Sequence, residues 1–205
     1  MKVQKLILNL IILASLLILS AGCGDQQQKE TADTSINAYC EAFLHLDQKN
    51  FDKIGESKVE YIQNYKQAFI NSFKASSGNV FSDEQAVRVY EALTNKMQQI
   101  DIKTKVLSST GNEAKVEVRL QAYDMSSMNI EQIVKQKLIK FDHQPTEQEV
   151  FEVYTDELVN YINNMNPSKE SVMTVDCKYN NTKEIWEPKD INNFEGELAK
   201  VAINM

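Results

Sequence analysis

The chain reads as an α+β protein, a small antiparallel sheet of about four strands packed by about six helices. Three observations predict this. Apolar residues recur at three- and four-residue spacing in six segments, each read as an amphipathic helix. Two segments instead alternate apolar and polar residues around short turns, the signature of hairpins with one buried and one wet face. These patterns follow one another as ααα-ββ-αα-ββ-α, an order that segregates hairpins and helices as α+β domains do.

The elements follow in order. Ile36, Tyr39, Cys40 and Phe43 share one face of a first helix. Ser57 with Glu60 makes a capping box that opens a second helix, whose Ile62, Tyr65, Phe69 and Phe73 form a stripe. Ser77-Gly78-Asn79 breaks it. Ser82 with Gln85 caps a third helix bearing Ala86, Val89, Tyr90, Leu93 and Met97. The period then becomes two: Ile100, Ile102, Thr104 and Val106, the Thr110-Gly111-Asn112 turn, then Ala114, Val116, Val118, Leu120 and Ala122.

A fourth helix carries Ile130, Ile133, Val134, Leu138 and Phe141. A fifth opens at Pro145-Thr146 with Glu149 completing its cap, and stops at Asn166-Pro167. Met173, Val175, Cys177 and Tyr179 face one way in a second hairpin that turns at Asn180-Asn181 and returns through Ile185 and Trp186. The last helix follows Asp190 and buries Ile191, Phe194, Leu198 and Val201.

The N-terminus carries an address. Lys2 and Lys5 precede the apolar run Leu6–Leu19, and small residues lead to Cys23, the three zones of a secretory signal. Leu19-Ser20-Ala21-Gly22-Cys23 looks like a lipobox, although Ser20 stands where such sequences usually carry Leu; ordinary signal-peptidase cleavage therefore stays open. The run Leu6–Gly22 has 17 residues and contains Asn9, at the lower edge of the ~17–25 a spanning helix needs. The expected organisation is a signal peptide at 1–22, a lipidated Cys23 with a polar tether to residue 34, and one domain over 35–205. The expected location is the outer face of the cell membrane, held by two acyl chains, since each buried CH₂ adds about 0.8 kcal/mol and one chain holds only marginally.

Removing residues 1–22 deletes two lysines and no acids. The remaining 20 basic and 29 acidic residues give a charge of −9, against −7 for the whole chain. No basic footprint exists for nucleic acid, and anionic lipid attracts basic rather than acidic segments.

Lipobox, polar tether, opening amphipathic helix, the Gly111-Asn112-Glu113-Ala114 turn, and Trp186 in a closing strand before a terminal helix together resemble a known group. They are similar to small Gram-positive membrane lipoproteins bearing an uncharacterised domain of cystatin-like or nuclear-transport-factor-two-like shape. The resemblance implies a lipid anchor, palmitate included, and such a fold over most of 35–205. It brings no catalytic residues, the group's function being unknown.

The residues themselves offer little chemistry. His45 sits opposite the first helix's apolar face and is expected in solvent; His143 lies in a loop, and neither belongs to a metal-binding spacing. Glu147, Glu149, Asp156 and Glu157 read as a solvated helix face or as acids at a helix start. No catalytic residue, cofactor or metal site is expected. The stripe Tyr65, Phe69, Phe73 and Tyr90 is read as core, with a pocket for an apolar ligand as the other reading. Cys40 and Cys177 lie on apolar faces of one core. Either they form a disulfide closing a loop of about 137 residues, or they pack as free thiols. The functional expectation is a non-catalytic module that binds an envelope protein or a small apolar ligand. The alternative is an enzyme of hydrolase or isomerase type with its site under the curved sheet.

Overall fold

A computed structural model describes residues 30–125 and 128–204. The expected signal peptide, Cys23 and most of the expected tether lie outside the described residues. Thr31–Met205 forms one compact unit. All of the buried apolar core belongs to it, from Ala32 to Ile203.

Seven helices and an antiparallel sheet appear among the described residues: α1 Ala32–His45, α2 Gln48–Ile54, α3 Lys58–Ser76, α4 Asp83–Met97, β1 Ile102–Thr110, β2 Glu113–Asp124, α5 Ile130–Leu138, α6 Glu147–Asn164, β3 Pro167–Asn180, β4 Ile185–Pro188, α7 Ile191–Ala202 and β5 Ile203–Asn204. The fold class is the α+β one expected, with two additions. The seven-residue α2 is too short to show a period. Two-residue β5 runs parallel to the end of β2 through Tyr123 and Ile203. The first helix starts at Ala32, upstream of the expected domain boundary.

The sheet runs β1-β2-β3-β4. Gly111 turns the first hairpin at φ +61°, the left-handed region glycine enters without steric cost. The alternation along β2 has its expected consequence: Ala114, Val116, Val118, Leu120 and Ala122 are buried, while Lys115, Glu117 and Arg119 between them put charge on the opposite face. There Lys115 pairs with Asp176 directly across the ladder at 2.6 Å, and Arg119 reaches Glu170 at 2.8 Å. Helices α1 and α7 cover the apolar face. Ile36, Cys40, Phe194 and Leu198 enter the core there.

The remaining helices pack as pairs: α3 on α4, α4 on α6, α5 on α6. Full capping boxes open α4 and α6, through Ser82/Gln85 and Thr146/Glu149. At α3 only half the expected box forms, with Ser57 Oγ accepting from the Glu60 backbone N–H at 3.3 Å. Arg88 of α4 clamps Glu152 and Asp156 of α6. Among the described residues no helix is long and apolar enough to cross a membrane.

Candidate functional site

Helix α3 is the least buried long element. Of its 19 residues only Ile70 is fully buried, although Tyr61, Tyr65, Phe69 and Phe73 recur every four residues on one side. The rings join a continuous aromatic line. Phe43 stacks on Tyr61 at 4.8 Å, Tyr61 on Tyr65 at 5.8 Å, and Tyr65 and Phe69 tilt against Tyr90 of α4 at 6.2 and 5.7 Å. Phe69 stacks on Phe73, which meets Phe81, which in turn meets Tyr154 of α6. Such pairs contribute about 0.5–1.5 kcal/mol each beyond the area they bury.

Behind this line the helices do not close. A cavity of about 450 Å³ lies between α3 and α4 on one side and α6 and α7 on the other. The volume falls within the roughly 300–1,000 Å³ of small-molecule sites. Tyr65, Phe69 and Phe73 of α3 form one wall and Val89, Tyr90, Leu93 and Met97 of α4 a second. Tyr154, Leu158 and Ile162 of α6 close the far side. Met125, Met128 and Ile203 form an end, beside Ala199 and Lys200 of α7. Two methionines at one end add soft, adaptable surface. The polar lining is sparse: Ser76, Ser77, Thr94 and Lys200. Lys200 is at the exposed rim and bonds Glu197 at 2.7 Å. The Thr94 hydroxyl is buried without a well-formed hydrogen bond, although close enough to the Tyr90 hydroxyl to act on it.

Tyr65, Phe69, Phe73 and Tyr90, read from the sequence as core or pocket, thus line the cavity together. The residues opposite them were legible as separate helical stripes, but nothing in a stripe says which other stripe it faces or whether a gap remains between them. Glu195 was also missed. It lies on α7 one turn before Ala199, half-buried, and its charge adds to the burial that chiefly raises the Tyr61 and Tyr65 phenols. Its own carboxyl is pushed above the usual range by burial and by the neighbouring Glu56.

The remaining candidates fall elsewhere. His45 is not in solvent as expected: it is half-buried, its Nε2 donating to the Ile100 carbonyl at 2.8 Å and its Nδ1 2.6 Å from Glu41. His45 ends α1, where Leu46 turns left-handed (φ +53°), and Ile100, just before β1, brings its carbonyl to the ring. His143 is exposed between Asp142 and Glu149, which raise its pKa. Glu149 serves the α6 cap. Glu157 departs from the solvated reading: α5 packs over that face of α6, leaving its side chain 8% exposed and paired with Lys137.

Cys40 and Cys177 are both fully buried in the sheet core, and both are free thiols. Burial pushes the Cys177 thiol up to about 12 and Cys40 further still. Among the described residues no group of three or more His, Cys, Asp or Glu is placed to hold a metal ion.

No family model matches the chain, and no curated protein matches it. Among solved structures its fold is similar to "a putative lipoprotein (ycdA)" from Bacillus subtilis subsp. subtilis str. 168, with a TM-score of 0.70 and 21% identity. The likeness covers 85% of this chain and 56% of that one, so the chain spans little more than half of that protein's length. What the two demonstrably share is a fold.

Proposed function

We propose that this chain is a membrane lipoprotein of the Gram-positive type. In this reading it is anchored through diacylated Cys23 on the outer face of the membrane, and its domain is a non-catalytic binding module for a small apolar ligand. The lipoprotein identity of the Bacillus subtilis neighbour supports the anchor, as does the order of basic, apolar and small residues before Cys23. Helix α1 laid across an antiparallel sheet supports a cystatin-like or nuclear-transport-factor-two-like origin for the sheet unit, with the α3–α4 and α5–α6 pairs added to it.

The cavity carries the binding reading. An apolar void of this size costs dispersion contacts along its whole lining. Converging acid–base groups, which an enzyme would need, are not what lines it: the walls are aromatic, aliphatic and thioether side chains with a few hydroxyls.

A neutral dye that brightens in apolar surroundings, N-phenylnaphthylamine, tests the reading on residues 31–205, the compact unit that contains the core. One saturable site is expected, lost when Leu93→Trp fills the cavity from α4 while the circular dichroism spectrum is retained. Absence of saturable binding, or unchanged binding in the variant, would contradict the reading. For the anchor, Cys23→Ala should release the protein from the membrane or leave unprocessed precursor. Cleaved protein still on the membrane would exclude lipidation at that residue.

A further inference from the structure

Phenols aside, the cavity wall holds four polar side chains, and three of them are satisfied within the protein. Ser76 and Ser77 each donate to the Phe73 carbonyl at 2.9 Å, and Lys200 is paired with Glu197. Thr94 is the exception. It is 9% exposed, and its Oγ1 is one of two buried side-chain polar atoms among the described residues without a hydrogen-bond partner, the other being Asp33 Oδ1 at the start of α1. A helical threonine ordinarily meets this need locally, by donating to the carbonyl four residues earlier. Thr155 of α6, fully buried, does so, its Oγ1 donating to the Phe151 carbonyl at 2.8 Å. Thr94 does not. The Tyr90 phenol, one turn earlier on the same wall, is close to it without making a well-formed bond. Valine would fill this space without burying an unbonded hydroxyl, which costs more than a made bond contributes. Oγ1 and the methyl group leave the same carbon, so one staggered rotation exchanges them at the edge of the chamber.

Resting on the cavity reading above, we infer that the ligand is a neutral lipid carrying an uncharged oxygen, a hydroxyl or a carbonyl, that hydrogen-bonds the Thr94 hydroxyl. Its hydrocarbon fills the chamber. A carboxylate or ammonium at that depth would be a buried charge without a counter-ion, because the only charged side chain among the described lining residues, Lys200, stands at the exposed rim and is already paired. A pure hydrocarbon would leave the hydroxyl as unbonded as before. A lone water is a poor substitute, since a buried water needs about two to four polar partners. Thr94 shares its wall of α4 with Val89, Tyr90, Leu93 and Met97, of which only Tyr90 offers one.

Displacement of N-phenylnaphthylamine from residues 31–205 by dodecanol, dodecanoate and naphthalene, each below its micelle or solubility limit, separates the possibilities. Dodecanol should bind more tightly than dodecanoate. Thr94→Val should weaken dodecanol about fivefold, the scale of one net hydrogen bond, and leave naphthalene, which has no hydrogen-bonding group, unchanged. Thr94→Ser keeps a hydroxyl and should keep most of the dodecanol affinity. In the free protein Thr94→Val should leave the urea midpoint unchanged or raise it, because an unbonded group is removed, whereas loss of a merely structural hydroxyl would lower it. Equal or tighter binding of dodecanoate overturns the inference. So does dodecanol affinity indifferent to Thr94→Val, a parallel loss of naphthalene, or a lowered midpoint. If the dye binds and dodecanol does not displace it, the neutral lipid fails and the cavity reading survives. If the dye itself does not bind, the cavity reading falls and this inference with it.

Discussion

Leu158 and Leu198 offer a matched pair for testing the cavity through stability alone. Both are helical leucines with almost no exposure, 6% and 1%. Leu198 points from α7 into the sheet core, whereas Leu158 of α6 has the void on one side. Leu→Ala in a packed core costs about 2.7 to 5 kcal/mol, the spread tracking the new cavity at about 24 cal/mol per Å³. Leu198→Ala opens space that its neighbours cannot refill, and a cost of about 4 kcal/mol follows. Leu158 already lacks neighbours on its cavity side, so its removal forfeits fewer contacts. A difference of ~50 Å³ in newly created void separates the two by about 1.2 kcal/mol, placing Leu158→Ala near 2.8 kcal/mol. Equilibrium urea unfolding followed by the single, buried Trp186 measures both. Equal losses, or a larger loss for Leu158→Ala, would mean that the wall is packed and the cavity does not exist as a void.

Other expectations follow from the same structure. Lys137→Met strands the Glu157 carboxylate against α5 and should destabilise by about 1–3 kcal/mol, the cost of an unsatisfied buried group; a change below about 0.5 kcal/mol would mean that water reaches Glu157 freely. Cys40 and Cys177 should be unreactive toward thiol reagents in the folded protein and titrate as two thiols once it is unfolded without reductant. No thiols under those conditions would mean that oxidation closes the pair. Glu195→Gln should raise stability slightly at neutral pH, by less than about 1 kcal/mol because the group is half exposed. The sign follows from its raised folded-state pKa: the protonated form is the one favoured on folding. The contribution is thus complete below the unfolded value of about 4.3 and is lost as pH rises above it. Burial and the charge of Glu56 are what raise it. The gain should vanish at acid pH, and a gain that persists there would point to a cause other than charge.

The architecture was largely legible because period-two and period-3.6 patterns are local. Val116, Val118 and Leu120 had to share a face whatever surrounded them, and Ser82/Gln85 and Thr146/Glu149 close their caps within four residues. Long-range placement was not legible. His45 points away from its own helix's apolar stripe, and only the return of the chain at Ile100 covers it. Glu157 sits on a polar helix face that α5 happens to close. The cavity is the extreme case. Its rings appeared in the sequence as stripes, but a void is a property of how four helices fail to meet, and no single stripe contains that information. Glu195 was hidden for the same reason, since its burial and its neighbour Glu56 come from chain far from it in sequence.

The claim that a ligand occupies the space between α3, α4, α6 and α7 is tested most directly by photo-crosslinking. A neutral dodecanol analogue bearing a diazirine at the end of its chain, photolysed with residues 31–205 and mapped by peptide mass spectrometry, reports where the chain end lies. Adducts should fall on cavity-lining side chains such as Leu93, Met97, Met128 and Leu158, and excess unlabelled dodecanol should suppress them. Adducts spread instead over exposed apolar positions such as Ile139 and Val172, or insensitive to competitor, would contradict the account.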